Sequence, residues 1–192
     1  MYNQSREPMP QENLYFVALI PHDAVSGEVT EFKNDIALNY NSSKALRTMP
    51  HITLKAPFKL LEREHKNLLE WFANLRPRME SFTVELQDFG SFPNKDNPVI
   101  YVKPLMTSSL ERLQKTILTS FENAYPDIFI PYTERNFHPH MTIAFRDLTT
   151  EQYERAMDSY QHKKYSATFK ADRFYLLQND GERWNVIAEH IL

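Results

Sequence analysis

The pattern of apolar and polar positions divides the chain into short strands and amphipathic helices. Leu14 to Ile20 is a brief apolar run ended by Pro21, which predicts a buried strand. Val25, Val29, Phe32 and Ile36 recur at helical spacing, and a polar, turn-rich stretch follows from Asn39 to Met49. His51 to Ala56 reads as a strand stopped by Pro57. Leu61, His65, Leu68, Phe72 and Leu75 form a second helical stripe, ended by Pro77. Phe82, Val84 and Leu86 alternate with polar residues as in a half-buried strand. A loop over 93–98 leads to a return strand at Val99 to Val102.

The second half runs through a similar order. Ser108 with Glu111 predicts a capping box, opening a helix that carries Leu110, Leu113, Ile117 and Phe121 on one face. Residues 126–139 form a long aromatic loop holding Phe129, Tyr132, Arg135 and Phe137, and His140 to Phe145 is a strand. Thr149 or Thr150 caps a helix bearing Tyr153, Ala156, Met157 and Tyr160. Ala167 to Leu177 reads as one long strand, Asn179-Asp180-Gly181 as a hairpin turn, and Trp184 to Ile191 as its return. The order helix–strand–helix–strand–strand thus occurs twice, over about 25–103 and 108–191. The expectation is an α+β fold of two pseudo-twofold-related lobes, each an antiparallel sheet with helices outside. Together they make a single bilobal domain over 13–192, preceded by a flexible segment at 1–12.

Composition narrows the chemistry. The 192 residues include no cysteine, which excludes disulfides, thiolate nucleophiles and cysteine-type zinc sites. Only three glycines are present, and no Gly-rich phosphate loop occurs. No apolar stretch is long enough to span a bilayer, and the first residues are polar, so a cytoplasmic protein without membrane contact is expected. A net charge of −3 argues against tight binding to long duplexes. A monomer is the expectation.

Two stretches repeat: Pro50-His51-Ile52-Thr53 and Pro139-His140-Met141-Thr142. Each falls on the second element of its unit, so the pseudo-twofold would bring both strands to a central cleft. Strand periodicity puts His51, Thr53 and Lys55 on one face, with Ile52 and Leu54 on the other. It likewise groups His140, Thr142 and Ala144 against Met141, Ile143 and Phe145. A His and a Thr two residues apart can contact different atoms of one small tetrahedral anion. Two such strands surround a phosphoryl group with two imidazoles and two hydroxyls. In-line cleavage of a phosphodiester needs a base on the attacking oxygen and an acid on the leaving oxygen, and histidine serves either role near neutral pH. The threonine hydroxyls would hold nonbridging oxygens. Neither a metal nor any other cofactor is required.

These motifs, with Leu14 to Pro21 as a first strand, resemble the two-histidine (2H) phosphoesterases, the group of 2′-5′ RNA ligase-like proteins and cyclic nucleotide phosphodiesterases. The resemblance implies a bilobal α+β fold and metal-independent chemistry on 2′,3′-cyclic or 2′-linked phosphodiesters of a nucleotide or RNA end. It implies His51 and His140 as the acid/base pair, with His140 the base and His51 the acid in hydrolysis, and Thr53 and Thr142 as phosphate ligands. Two departures stand out. Ala56-Pro57-Phe58 replaces the Phe-Leu-Gly that RNA ligase-like members tend to carry, and Phe145 separates the second motif from Arg146.

Further candidates are Lys55, as a phosphate contact, and Tyr132, as a stacking platform for a base. His138 and His22 read first as loop and helix-start residues. Three alternatives stay open: a non-catalytic module that binds phosphate or RNA ends, a 2′-5′ RNA ligase, and a metallohydrolase using His22, His51, His138 and His140. The last lacks any Asp or Glu close to either motif.

Overall fold

The computed structural model describes residues 11–192. Most of the segment expected to be flexible, 1–12, therefore lies outside the described residues, and its last residue opens the first strand. The chain runs β1 (Glu12–Leu19), α1 (Asp23–Tyr40), a 3-10 turn (Lys44–Arg47), β2 (Ile52–Leu61), a second 3-10 turn (Glu62–Glu64) and α2 (His65–Ala73). It continues through β3 (Phe82–Phe92), β4 (Val99–Pro104), α3 (Ser108–Ala124), α4 (Tyr132–Arg135), β5 (Met141–Ala144), α5 (Thr150–Tyr160), β6 (Ser166–Ala171), β7 (Arg173–Asn179) and β8 (Trp184–Ile191). Two four-stranded antiparallel sheets result, in the orders β2-β1-β7-β8 and β5-β4-β3-β6. The expected α+β architecture is present.

The helices are exchanged between the sheets. α1 links the neighbouring strands β1 and β2, yet it packs on β5, β6 and α5 beside the other sheet. α3 links β4 and β5 and packs on β2. Tyr160 on α5 donates to Asp35 on α1 at 2.6 Å, and Trp71 on α2 donates to Ser120 on α3 at 3.1 Å. Phe121 of α3 lies 4.5 Å, ring to ring, from Phe58 of β2. Each of the two sequence units contributes strands to both sheets. The motif strands β2 and β5 are the edge strands that approach each other between the sheets.

Several local expectations change. β2 does not stop at Pro57 but runs on to Leu61, so Leu61 belongs to the strand and not to α2. An edge strand tolerates proline, and the register against β1 gains an extra residue between Lys55 and Phe58, where a missing N–H costs no ladder bond. The cap of α3 is Thr107, whose hydroxyl accepts from the Leu110 N–H, and not Ser108. Thr149, with Gln152, makes the capping box of α5. The long strand read over Ala167 to Leu177 is two strands of different sheets, parted at Asp172. Continuous apolar patterning hides such a change of sheet, because each strand is half buried on either side of it. The aromatic loop contains the short helix α4.

Candidate active site

Both motif strands depart from simple alternation at the same place. Thr53 pairs with Ala18 while Lys55 pairs with Val17, so one extra residue, Leu54, is inserted in β2. Thr142 pairs with Tyr101 while Ala144 pairs with Ile100, so Ile143 is the corresponding insertion in β5. A bulge of this kind reverses the facing of the residues that follow, as far as the next irregularity. Leu54 and Lys55 are both buried in the core, as are Ile143 and Ala144. The face shared by His51 and Thr53 therefore does not extend to Lys55, and Ala144 does not share the face of Thr142. Phe145 lines the cleft instead.

Lys55 is 1% exposed. Its ammonium pairs with Glu134 at 3.0 Å and lies over the Phe58 and Phe121 rings. The same carboxylate accepts the Ala56 N–H at 2.9 Å, so it fastens α4 to the first motif strand. Burial lowers the proton affinity of Lys55, and Glu134 opposes that effect. This corrects the expectation of Lys55 as a phosphate contact: its charge is already matched, on the far face of the strand.

Each histidine is held by a carbonyl two residues earlier. His51 Nδ1 lies 2.8 Å from the Met49 oxygen and His140 Nδ1 lies 2.8 Å from the His138 oxygen. A carbonyl only accepts, so Nδ1 carries the hydrogen and Nε2 is left as the basic site of the neutral ring. The rings are also wedged by aromatics. Phe16 stands 5.0 Å from His51, while Phe92 and Tyr101 stand 5.2 and 5.6 Å from His140. Desolvation pushes the His51 imidazole down to about 4; the Met49 carbonyl opposes the shift, and Lys33 and His140 add to it. His140 is lowered by the same principal cause, with the His138 carbonyl opposing.

Two cavities meet at Thr53, which lines both. The smaller, about 210 Å³, is bounded by His51, Thr142, Lys33, Phe145, Arg146 and Trp184. The larger, about 500 Å³, is bounded by His140, Phe92, Asn94, Gln114, Tyr132 and Asn136. Its size falls within the range of small-molecule sites. Tyr132 is 76% exposed and stands at this wall. The motifs did not reveal Lys33 and Gln114, each 3% exposed and each projected from one of the exchanged helices. A signal for Lys33 was present: Val25, Val29 and Lys33 follow at four-residue intervals, so a lysine occupies the buried stripe. Arg146 adopts a left-handed backbone with φ of 67°, a strained conformation for a non-glycine residue at the end of β5.

The histidines of the metallohydrolase alternative are not gathered into a ligand set. His22 pairs with Asp172 at 3.3 Å, His138 Nδ1 bonds the Asn136 carbonyl, and among the described residues no cluster of three or more His, Asp or Glu could hold a metal.

Residues 21–183 match the family model of the 2′-5′ RNA ligase superfamily. The chain belongs to this superfamily. A Bacillus cytotoxicus protein named as a candidate phosphoesterase is 32% identical over 158 residues, covering 80% of this chain and 84% of its own. A relative with the same naming in Bacillus licheniformis is 28% identical and covers 93% of this chain and 98% of its own. Among solved structures, E. coli LigT complexed with 3′-AMP superimposes with a TM-score of 0.66 at 16% identity, over 95% of this chain and 99% of that one. A Thermus thermophilus protein gives 0.65 over 93% and 97%. The superfamily member described here is thus a phosphoesterase of the 2H type with the LigT-like fold. Among the described residues, no helix is long and apolar enough to cross a membrane.

Proposed function

We propose that this 2H phosphoesterase is a metal-independent phosphodiesterase that opens a 2′,3′-cyclic or 2′-linked phosphodiester at a nucleotide or RNA end. The observation that carries the reading is the matched orientation of His51 and His140, each with Nδ1–H tied to a carbonyl, on strands that meet at one cleft. Each Nε2 is free to take a proton when the ring is neutral and to give one when it is charged. The neutral ring removes a proton from water as the oxygen attacks phosphorus; the charged ring protonates the ribose oxygen as its P–O bond breaks. Thr53 and Thr142 hold nonbridging oxygens. The larger cavity, with Tyr132, Phe92 and the amides of Asn94, Asn136 and Gln114, suits a nucleoside. That E. coli LigT was solved with 3′-AMP supports a nucleotide ligand for this fold.

The surroundings favour His51 as base and His140 as acid, the reverse of what the resemblance implies. A bound phosphodiester raises the proton affinity of both rings, but the Lys33 charge acts on His51 and keeps it the weaker holder of a proton.

Product analysis on 2′,3′-cyclic, 2′-5′ and 3′-5′ linked substrates, with chelator present, tests this. Hydrolysis to a monoester that persists with chelator and disappears in His51→Ala and His140→Ala is the expected result. Activity that survives both substitutions overturns the reading, and binding without turnover assigns the cleft to a recognition module.

A further inference from the structure

Lys33 is a buried cation without a matching anion. It sits on the inward stripe of α1, and its ammonium donates to the Thr48 carbonyl at 2.7 Å. Among the described residues no carboxylate lies within salt-bridge distance of it. A buried ammonium has three protons to satisfy, and a lone positive charge in a poorly solvated place is costly unless something negative joins it. The other buried lysine among the described residues, Lys55, is differently placed, because it has Glu134. Burial lowers the proton affinity of Lys33 to about 8, so the charge persists at neutral pH.

Its position gives the charge a use. Lys33 lines the smaller cavity together with His51, Thr53 and Thr142, the three motif side chains that converge there. On the His140 side, the equivalent exchanged helix α3 offers Gln114, whose amide donates to the Glu134 carbonyl at 3.0 Å. One wall of the cleft is cationic and the other is a neutral amide. The smaller cavity sets Lys33, His51, Thr53 and Thr142, which can bind an oxyanion, against apolar walls of Phe16, Phe145 and Trp184.

We infer that Lys33 is a phosphoryl-binding residue: its ammonium receives a nonbridging oxygen of the substrate phosphate alongside Thr53 and Thr142. This inference rests on the reading of the cleft as a phosphodiester site and adds a ligand that lies outside both motifs. It also fixes how the substrate enters: phosphate against α1, nucleoside against α3 and α4.

The test is titration of inorganic phosphate and of a nucleoside 2′,3′-cyclic phosphate into the full chain, followed calorimetrically. Wild type, Lys33→Met, Lys33→Gln and the surface control Lys66→Met are compared, each with its thermal melt. Loss of a charge-assisted contact weakens binding by at least about tenfold in both Lys33 variants. Their melting temperatures stay level or rise, because a neutral side chain removes an unmatched buried charge. Lys66→Met binds as wild type. Unchanged affinity in the Lys33 variants, with or without a fall in melting temperature, overturns the inference and leaves Lys33 as a tether for Thr48. Failure of the wild type to bind either ligand overturns the phosphodiester reading itself, so the two failures are distinguishable.

Discussion

Lys55 and Glu134 form a buried ion pair, 3.0 Å between Nζ and Oε2, that joins the first motif strand to the loop preceding the second motif. Glu134 also lines the larger cavity, so the pair ties one wall of the cleft to the first motif strand. It sets the place of α4, whose Tyr132 stands at the wall of the larger cavity.

Breaking this pair leaves one charge stranded. Glu134→Gln is expected to destabilise the fold by about 3 kcal/mol, as measured by urea unfolding. The double variant Lys55→Met/Glu134→Gln recovers most of that loss, because no unmatched charge remains. Equal stability of the single and double variants would show that the two charges are not coupled.

The two imidazoles act as one unit. His51→Ala and His140→Ala each lower kcat by roughly 10²- to 10⁴-fold with native circular dichroism retained. The double variant is little worse than either single one, because removing one half of an acid/base pair already disables the concerted proton transfer. Multiplicative losses would mean that the two rings work in separate steps.

Acid stability reports on His51. Its folded-state value of about 4 lies below the ordinary 6.5. Between these values the unfolded chain binds a proton that the native state refuses. The stabilisation is therefore whole above pH 6.5 and is lost as the pH falls through 4, by at most about 3 kcal/mol. His51→Gln should flatten the dependence of urea midpoint on pH across this window; an unchanged slope places the titration elsewhere.

Gly90 holds a ring in place by having no side chain. It faces Tyr101 across β3 and β4, and a Cβ there would stand 2.7 Å from the phenol ring. Tyr101 in turn packs against Phe92 at 4.7 Å and beside His140. Gly90→Ala pushes the ring from its seat, with an overpacking cost of about 1–3 kcal/mol. A fall in kcat/KM of about tenfold is expected from the altered wall behind His140. Thermal melts and steady-state kinetics on the same preparation separate the two effects.

Much of this was legible from residue patterns. The stripe of α1, the alternation at the start of β3 and the paired Pro-His-x-Thr stretches each express a local period, and local periods survive in sequence. What escaped notice depends on register between distant strands. Nothing near Leu54 signals that β1 will oppose Thr53 with Ala18 and Lys55 with Val17, so the facing of Lys55 was out of reach. The split of 167–177 at Asp172 is likewise a matter of which sheet each half joins. Lys33 lay in plain view on an apolar stripe, but its meaning depends on α1 crossing to the other sheet.

The insertions at Leu54 and Ile143 work as a paired change of reading frame. The threonine before each insertion faces the cleft, and the inserted residue and its successor, Lys55 or Ala144, both face the interior. Regular pairing through these positions, without the bulge, would instead place Lys55 or Ala144 on the threonine's face, in the cleft, and turn Phe145 inward. Each motif is thus as long as its frame allows, and it closes at threonine because the backbone changes phase there.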